Sequence, residues 1–132
     1  MFEEMGNRDQ AVLDRMQDAS ERYFRQSLQD GSYRAWLVET AGGQIAAGGG
    51  VAIVHWPGSP DFPEPRRGWI LNIYTEPEFR HQGIAKQVVA TILEWCRGEG
   101  FAYVSLHASK FGRGLYEQLG FAPTNEMRLY LR

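Results

Sequence analysis

Across residues 8–28 the apolar side chains Val12, Leu13, Met16, Ala19, Tyr23, Phe24 and Leu28 return at the spacing of one helix face. Asp30-Gly31 follows as a C-cap would, so the pattern predicts one helix, or two with a break near Asp18. The period then shortens. Residues 34–40 read as a strand, Gly42-Gly43 as a tight turn, and residues 44–55 as the hairpin partner. Gly48-Gly49-Gly50 inside that partner is costly in a strand and marks a bulge or a close backbone approach.

Pro57, Pro60, Pro63 and Pro65 stiffen residues 56–68 into a surface loop. Two readings stay open for it: a plain hairpin connection, or a wall of a substrate pocket. The run Trp69-Ile70-Leu71-Asn72-Ile73-Tyr74 suits a buried central strand, and Glu76-Pro77-Glu78 turns the chain after it. Ile84, Ala85, Val88, Val89, Ile92, Leu93 and Cys96 then form one broad helix face, closed by Gly98 and Gly100. Residues 101–106 predict another short strand, residues 112–119 a helix with Gly120 as its C-cap, and the alternation over residues 127–131 a last strand. No repeat, low-complexity tract or long linker interrupts this order, so one α/β domain over residues 1–132 is expected.

Composition narrows the partners. With 16 acidic and 14 basic residues and a formal charge of −2, the chain is not built to coat nucleic acid or an anionic membrane, and an anionic ligand must be met locally. The single cysteine, Cys96, excludes an internal disulfide framework and a multi-cysteine zinc site, and its place in the apolar helix pattern makes it a core thiol. The start Met1-Phe2-Glu3-Glu4 is acidic where a signal peptide is basic and then apolar, and no apolar run is long enough to span a membrane; a cytoplasmic protein is expected.

Chemistry concentrates between the central strand and the amphipathic helix. In Arg80-His81-Gln82-Gly83-Ile84-Ala85, successive backbone N–H groups and the helix dipole favour an anion such as a pyrophosphate. Gly83 permits close approach of phosphate oxygens, the small Ala85 keeps the first helical turn open, and Arg80 or Lys86 adds charge at the rim. Neither the P-loop pattern nor the dinucleotide-fold glycine spacing opens this helix.

The stretch Leu71-Asn72-Ile73-Tyr74-Thr75-Glu76-Pro77-Glu78-Phe79-Arg80-His81-Gln82-Gly83-Ile84-Ala85, with Leu115-Tyr116-Glu117-Gln118-Leu119-Gly120-Phe121 farther on, resembles the GNAT superfamily of N-acetyltransferases. The likeness spans roughly residues 33–131. It implies a GNAT-like acyl-CoA N-acyltransferase fold, a mixed central sheet splayed between the family's fourth and fifth strands and flanked by helices. It implies acetyl-CoA as cosubstrate, no metal, and an amine acceptor that is a small molecule or a peptide. The pantetheine arm would enter the splay and pair with backbone groups of Ile73 and Thr75. The pyrophosphate would rest on the N–H groups of His81, Gln82, Gly83, Ile84, Ala85 and Lys86, with Ser109 as a further coenzyme contact.

An alkylamine, with a pKa of about 10.4, is almost wholly protonated at neutral pH, so something must take its proton before it attacks a thioester. The tetrahedral intermediate needs an N–H aimed at its oxygen, and the departing thiolate benefits from an acid. The resemblance gives the acid role to Tyr116; packing in the core is its plain alternative. His55, Asn72, Glu39, His107 and a chain of waters all stay open as the base. The family's usual first strand has no counterpart ahead of Arg8, and residues 1–6 read as helix interior, as in a shortened chain or one whose start is assigned late. A sheet edge is therefore expected to stay unpaired or to take a partner subunit, as in a homodimer. Two other functions remain: a non-catalytic acyl-CoA sensor or interaction module, and a regulatory domain using the same loop for a nucleotide diphosphate.

Overall fold

A computed structural model describes residues 10–110 and 112–131. The reading of residues 1–6 as helix interior lies outside the described residues. Gln10–Asp30 (α1) is one unbroken helix. It ends where Gly31 takes φ 80° and the Asp30 carboxylate accepts the Ser32 N–H at 2.8 Å. Its C-terminal half is anchored on β1, where Ser27 is buried and the Phe24 ring lies 4.8 Å from that of Tyr33, while Met16, Tyr23 and Leu28 stay exposed.

Four strands follow: Tyr33–Glu39 (β1), Ile45–His55 (β2), Arg66–Thr75 (β3) and Val104–Ser105 (β4). They lie in the order β1-β2-β3-β4, antiparallel across the first two pairs and parallel across the last. Among the described residues β1 has no outer neighbour. On one face Ile84–Gly98 (α2) buries Val88, Val89, Ile92 and Cys96 against Ala47, Val51 and Ile70, the apolar stripe legible in its sequence. Burial pushes the Cys96 thiol up to about 11, as fits a core residue.

The three glycines of β2 answer both expectations made for them. Ladder partners run Gly48 to Tyr74 and Gly50 to Leu71, so Gly49 faces two residues of β3, Asn72 and Ile73, in a bulge. Asn72 takes φ 60° there, a conformation asparagine tolerates better than most side chains. A Cβ on Gly49 would lie 2.3 Å from Ile73 Cδ1 on the α2 face. On the opposite face a Cβ on Gly50 would lie 2.1 Å from the Tyr33 hydroxyl and 2.8 Å from the Arg34 carbonyl oxygen. The strand is therefore narrow on both sides where its neighbour bulges.

Two expected strands differ. Residues 101–106 yield only the two-residue β4, because β3 meets it at Gly68 and Trp69 and then turns away at the bulge. After the short helix Arg113–Gln118 (α3), with Gly120 at φ 97°, residues 127–131 form no strand at all. Met127, Leu129, Tyr130 and Leu131 are 93%, 81%, 77% and 89% exposed. Alternation prepares a segment for pairing but supplies no partner, and among the described residues no strand pairs with it. No helix among the described residues is long and apolar enough to cross a membrane.

Replacing Gly50 with Val is expected to destabilise the fold by about 1–3 kcal/mol through overpacking against the Tyr33 ring and the β1 backbone, read as a lower urea midpoint at unchanged slope.

Candidate functional site

β3 carries the site because only its first residues are paired on the β4 side. Beyond Trp69 no strand pairs with that side among the described residues, so the parallel pairing ends short of the carboxyl end of β3, the end at which open α/β sheets bind ligands. The Glu76 N–H donates to Ala46 O at 2.8 Å, toward β2, while Arg80 Nε donates to Thr75 O at 2.9 Å from the other side. Strand residues alternate in the neighbour their backbone addresses, so the N–H and C=O of both Ile73 and Thr75 face that unpaired side. The Arg80 guanidinium thus ties the loop to the strand, and one of the carbonyls assigned to a coenzyme contact already has a donor.

Pro77–Phe79 forms a single 3-10 turn, and the chain then enters α2 through two left-handed residues, His81 at φ 65° and Gly83 at φ 76°. For His81 that conformation is strained, and strain of this kind gathers at ligand clamps. Alternating left- and right-handed residues turn consecutive N–H groups to one side, and the start of α2 has no side-chain cap to use them. Nothing lies within 4 Å of where a Cβ on Gly83 would be. Gln82 and Lys86 are exposed, Ile84 and Ala85 half-buried. The donors, the dipole and the open approach fit a diphosphate.

Tyr116 projects from α3 between the core and a cavity. Its ring packs on Phe121 with centroids 5.8 Å apart, and burial raises its phenol above the usual value of 10.0. Its hydroxyl has no hydrogen-bond partner among the described residues. A Cβ on Gly112 would lie 3.1 Å from both Ser109 Oγ and the Tyr116 ring, so this glycine lets the two sit together. The Ser109 Oγ accepts the Gly112 N–H at 3.0 Å, fixing the turn that starts α3.

The cavity, about 940 Å³, lies between β4 and residues 121–126 and is lined in part by Trp56, Phe62, Trp69, Tyr103, His107 and Tyr116. It takes in neither the loop at residues 80–86 nor Ser109, so of the sequence-predicted site residues it brings in Tyr116 and leaves the others outside. Of the four side chains open as the base, only His107 shares the cavity with Tyr116. Both His107 ring nitrogens lie by Arg128 Nη2, at 3.0 and 3.3 Å, and its ring edge-stacks on Trp69. The Asn72 amide donates to the Tyr33 hydroxyl at 3.4 Å; Glu39 and His55 are exposed at strand ends.

The proline-rich loop joins β2 to β3, as the plainer of its two readings had it, and through Trp56 and Phe62 it lines the cavity. Sequence reasoning missed what holds it. Arg67 is buried at 5% exposure, donates from Nη1 to the carbonyls of Glu64 and Arg66 and from Nη2 to that of Phe62 at 3.0 Å, and lies 4.8 Å over the Tyr103 ring. In the sequence it is one of two adjacent arginines, and nothing there says which is buried.

Residues 4–121 match the model of the acetyltransferase (GNAT) family, and the chain belongs to that family. It is similar to a GCN5-related N-acetyltransferase from Ralstonia eutropha, with 37% identity and a TM-score of 0.88 over 99% of this chain and 85% of that one. A protein from Clostridium acetobutylicum described as an acetyltransferase and solved with acetyl-CoA matches at 32% identity and a TM-score of 0.78, over 83% of this chain and 71% of that one. Human N-acetyltransferase 8B is 36% identical over 64 residues, 46% of this chain and 28% of that protein. The chain thus matches well under a third of that curated relative's length.

Replacing Arg67 with Met is expected to release the loop: proteolytic cleavage within residues 57–65 should quicken, and stability should fall by about 2–4 kcal/mol as hydrogen bonds to a buried charge are lost.

Proposed function

We propose that this chain transfers an acetyl group from acetyl-CoA directly to a primary amine of a small molecule or peptide. The observation that carries the reading is the two-residue pairing of β3 with β4, beyond which the backbone of Ile73 and the N–H of Thr75 face away from β2 with no strand paired to them among the described residues. Such an unpaired edge suits an extended amide-bearing arm, which hydrogen-bonds as a strand does. At its end the uncapped start of α2 suits a diphosphate. The solved relative with acetyl-CoA at 32% identity supports the same ligand.

Chemistry then falls to a few groups of this chain. The neutral amine attacks the thioester carbonyl, forming a C–N bond, and the Ile73 N–H stabilises the oxyanion. Collapse breaks the C–S bond, and Tyr116, kept protonated by burial, gives its proton to the departing thiolate. The amine's proton leaves to water in the open cavity, since Arg128 already crowds both nitrogens of His107. Arg80, His81, Gln82, Gly83, Ile84, Ala85, Lys86 and Ser109 hold and orient the coenzyme without entering the bond changes.

The test is calorimetry with acetyl-CoA and with ATP, followed by an amine-panel assay of thiol release. Acetyl-CoA binding with turnover supports the proposal; binding without turnover on any amine points to a sensor, and tighter ATP binding to a nucleotide domain. Tyr116→Phe is expected to lower kcat by about 10–100-fold with acetyl-CoA affinity unchanged. A Tyr116 phenol raised by burial also places the alkaline limb of kcat above the ordinary tyrosine value of 10.0, because the acid stays protonated up to its folded pKa. Unaltered turnover in the variant rejects the acid role. Gly83→Val should weaken acetyl-CoA at least ~10-fold, since a β-branched residue resists the left-handed conformation and crowds the phosphate approach; calorimetry of a variant with native circular dichroism reads this directly.

A further inference from the structure

Tyr33, Gly50 and Asn72 belong to three different strands, yet they meet in one line across the sheet on the face opposite α2. Tyr33 is buried and stands opposite Ala52, on the same face of β2 as Gly50. From there its phenol leans across β2, so that its hydroxyl lies 2.1 Å from where a Cβ on Gly50 would be. Beyond β2 that hydroxyl reaches β3 and accepts the Asn72 amide at 3.4 Å. The Phe24 ring of α1, 4.8 Å away, holds the phenol down on the sheet. One side chain thus bridges from β1 to β3, and it can do so only because position 50 has no side chain in the way. Glycine within a strand is destabilising, so the bridge calls for a reason.

Asn72 supplies it. A left-handed bulge residue is most easily a glycine, but here asparagine holds φ 60°. What asparagine adds over glycine is an amide, and the amide goes to Tyr33. The peptide that joins Asn72 to Ile73 is planar and carries the Ile73 N–H, so the ψ of Asn72 sets where that N–H points. On the side to which it points no strand pairs with Ile73 among the described residues, so no ladder hydrogen bond fixes it. Two grips remain on this peptide: the Ile73 side chain, seated over Gly49 beside Val88, and the Asn72 side chain, tied to Tyr33. The second bond is long, so it contributes a share of the hold and not all of it.

We propose that Tyr33 is a positioning residue for acetyl transfer: through the Asn72 amide its hydroxyl keeps the bulge in the conformation that aims the Ile73 N–H at the oxyanion. The inference rests on the acetyltransferase reading above and gives the aim of that N–H to a residue that touches neither coenzyme nor amine. A hydrogen bond weakens steeply as its angle closes, and the weakening is felt most in the transition state, where the oxygen carries charge. Loss of the tie therefore shows in kcat before it shows in the binding of either substrate.

Tyr33→Phe keeps the ring against Phe24 and removes the hydroxyl alone. It is expected to lower kcat about 3–10-fold, the range one hydrogen bond's net contribution gives, with KM for the amine unchanged. Asn72→Gly leaves the left-handed backbone accessible and removes the amide, and by itself should lower kcat to a similar degree. Adding Tyr33→Phe to it should lower kcat further by less than about 1.5-fold, because two partners of one interaction do not add. Amide NMR of the full chain needs no substrate: the order parameter of the Ile73 N–H should fall from about 0.85 towards about 0.6 in Tyr33→Phe, with the α2 amides unmoved. An unchanged kcat in folded Tyr33→Phe overturns the proposal and leaves the hydroxyl a stabilising group only; so does an Ile73 amide whose order parameter and chemical shift both stay as they were. A kcat loss just as large in the Asn72→Gly background overturns it too, since the hydroxyl then acts elsewhere. Should the unaltered protein turn over no amine, the acetyltransferase reading fails instead, and the Ile73 amide alone decides whether Tyr33 fixes that N–H.

Discussion

One extra residue in β3, opposite Gly49, bends the central strand, and the arrangement of the molecule follows from how that residue is absorbed. Asn72 takes the left-handed conformation and turns its amide to the Tyr33 hydroxyl. The Tyr33 ring lies over Gly50, where no side chain could fit, and touches Phe24 of α1. On the other face Ile73 fills the space over Gly49, beside Val88 of α2. The bulge is thereby clamped from both sides of the sheet. Its consequence is the early parting of β3 and β4, which exposes strand backbone that would otherwise be used up in a ladder.

That exposed backbone and the start of α2 act together. A chain with a net charge of −2 has no general attraction for an anion, so the proposed coenzyme would have to be drawn by dipoles fixed in place. The left-handed residues His81 and Gly83 turn the N–H groups, and the lack of a side-chain cap leaves them available. Arg80, bonded to the Thr75 carbonyl, keeps the loop against that strand. The unpaired end of β3 and the proposed anion loop are thus parts of one continuous strand, loop and helix, which keeps their spacing fixed by covalent geometry.

The proline-rich loop shows a different use of charge. Prolines restrict the segment but do not say where it rests, and the buried Arg67 does that by gathering carbonyls from Phe62, Glu64 and Arg66 under the Tyr103 ring. A buried guanidinium is costly unless its donors are met, and a loop low in regular structure has carbonyls to offer both terminal nitrogens, while Nε stays buried without a partner among the described residues. The arrangement sets Trp56 and Phe62 on the cavity, so its shape depends on one ionic anchor as much as on apolar packing.

Period and punctuation determined much of this protein in advance. The α2 stripe, the Gly42-Gly43 turn, the helix stop at Asp30-Gly31 and the tight entry to α2 at Gly83 are local, set by residues close in sequence, and each was legible there. The paired motifs around Gly83 and Tyr116 led to the family. What tertiary structure decided were relations between distant segments. Three glycines announced close approach, but only the packed sheet showed Tyr33 on one face and Ile73 on the other. Of two adjacent arginines, only the fold chose Arg67 for burial. Residues 101–106 and 127–131 both carried strand patterns, yet the first shrank to two residues and the second paired with nothing. A strand, unlike a helix, takes its hydrogen bonds from elsewhere, and no local pattern can tell whether a neighbour will be there.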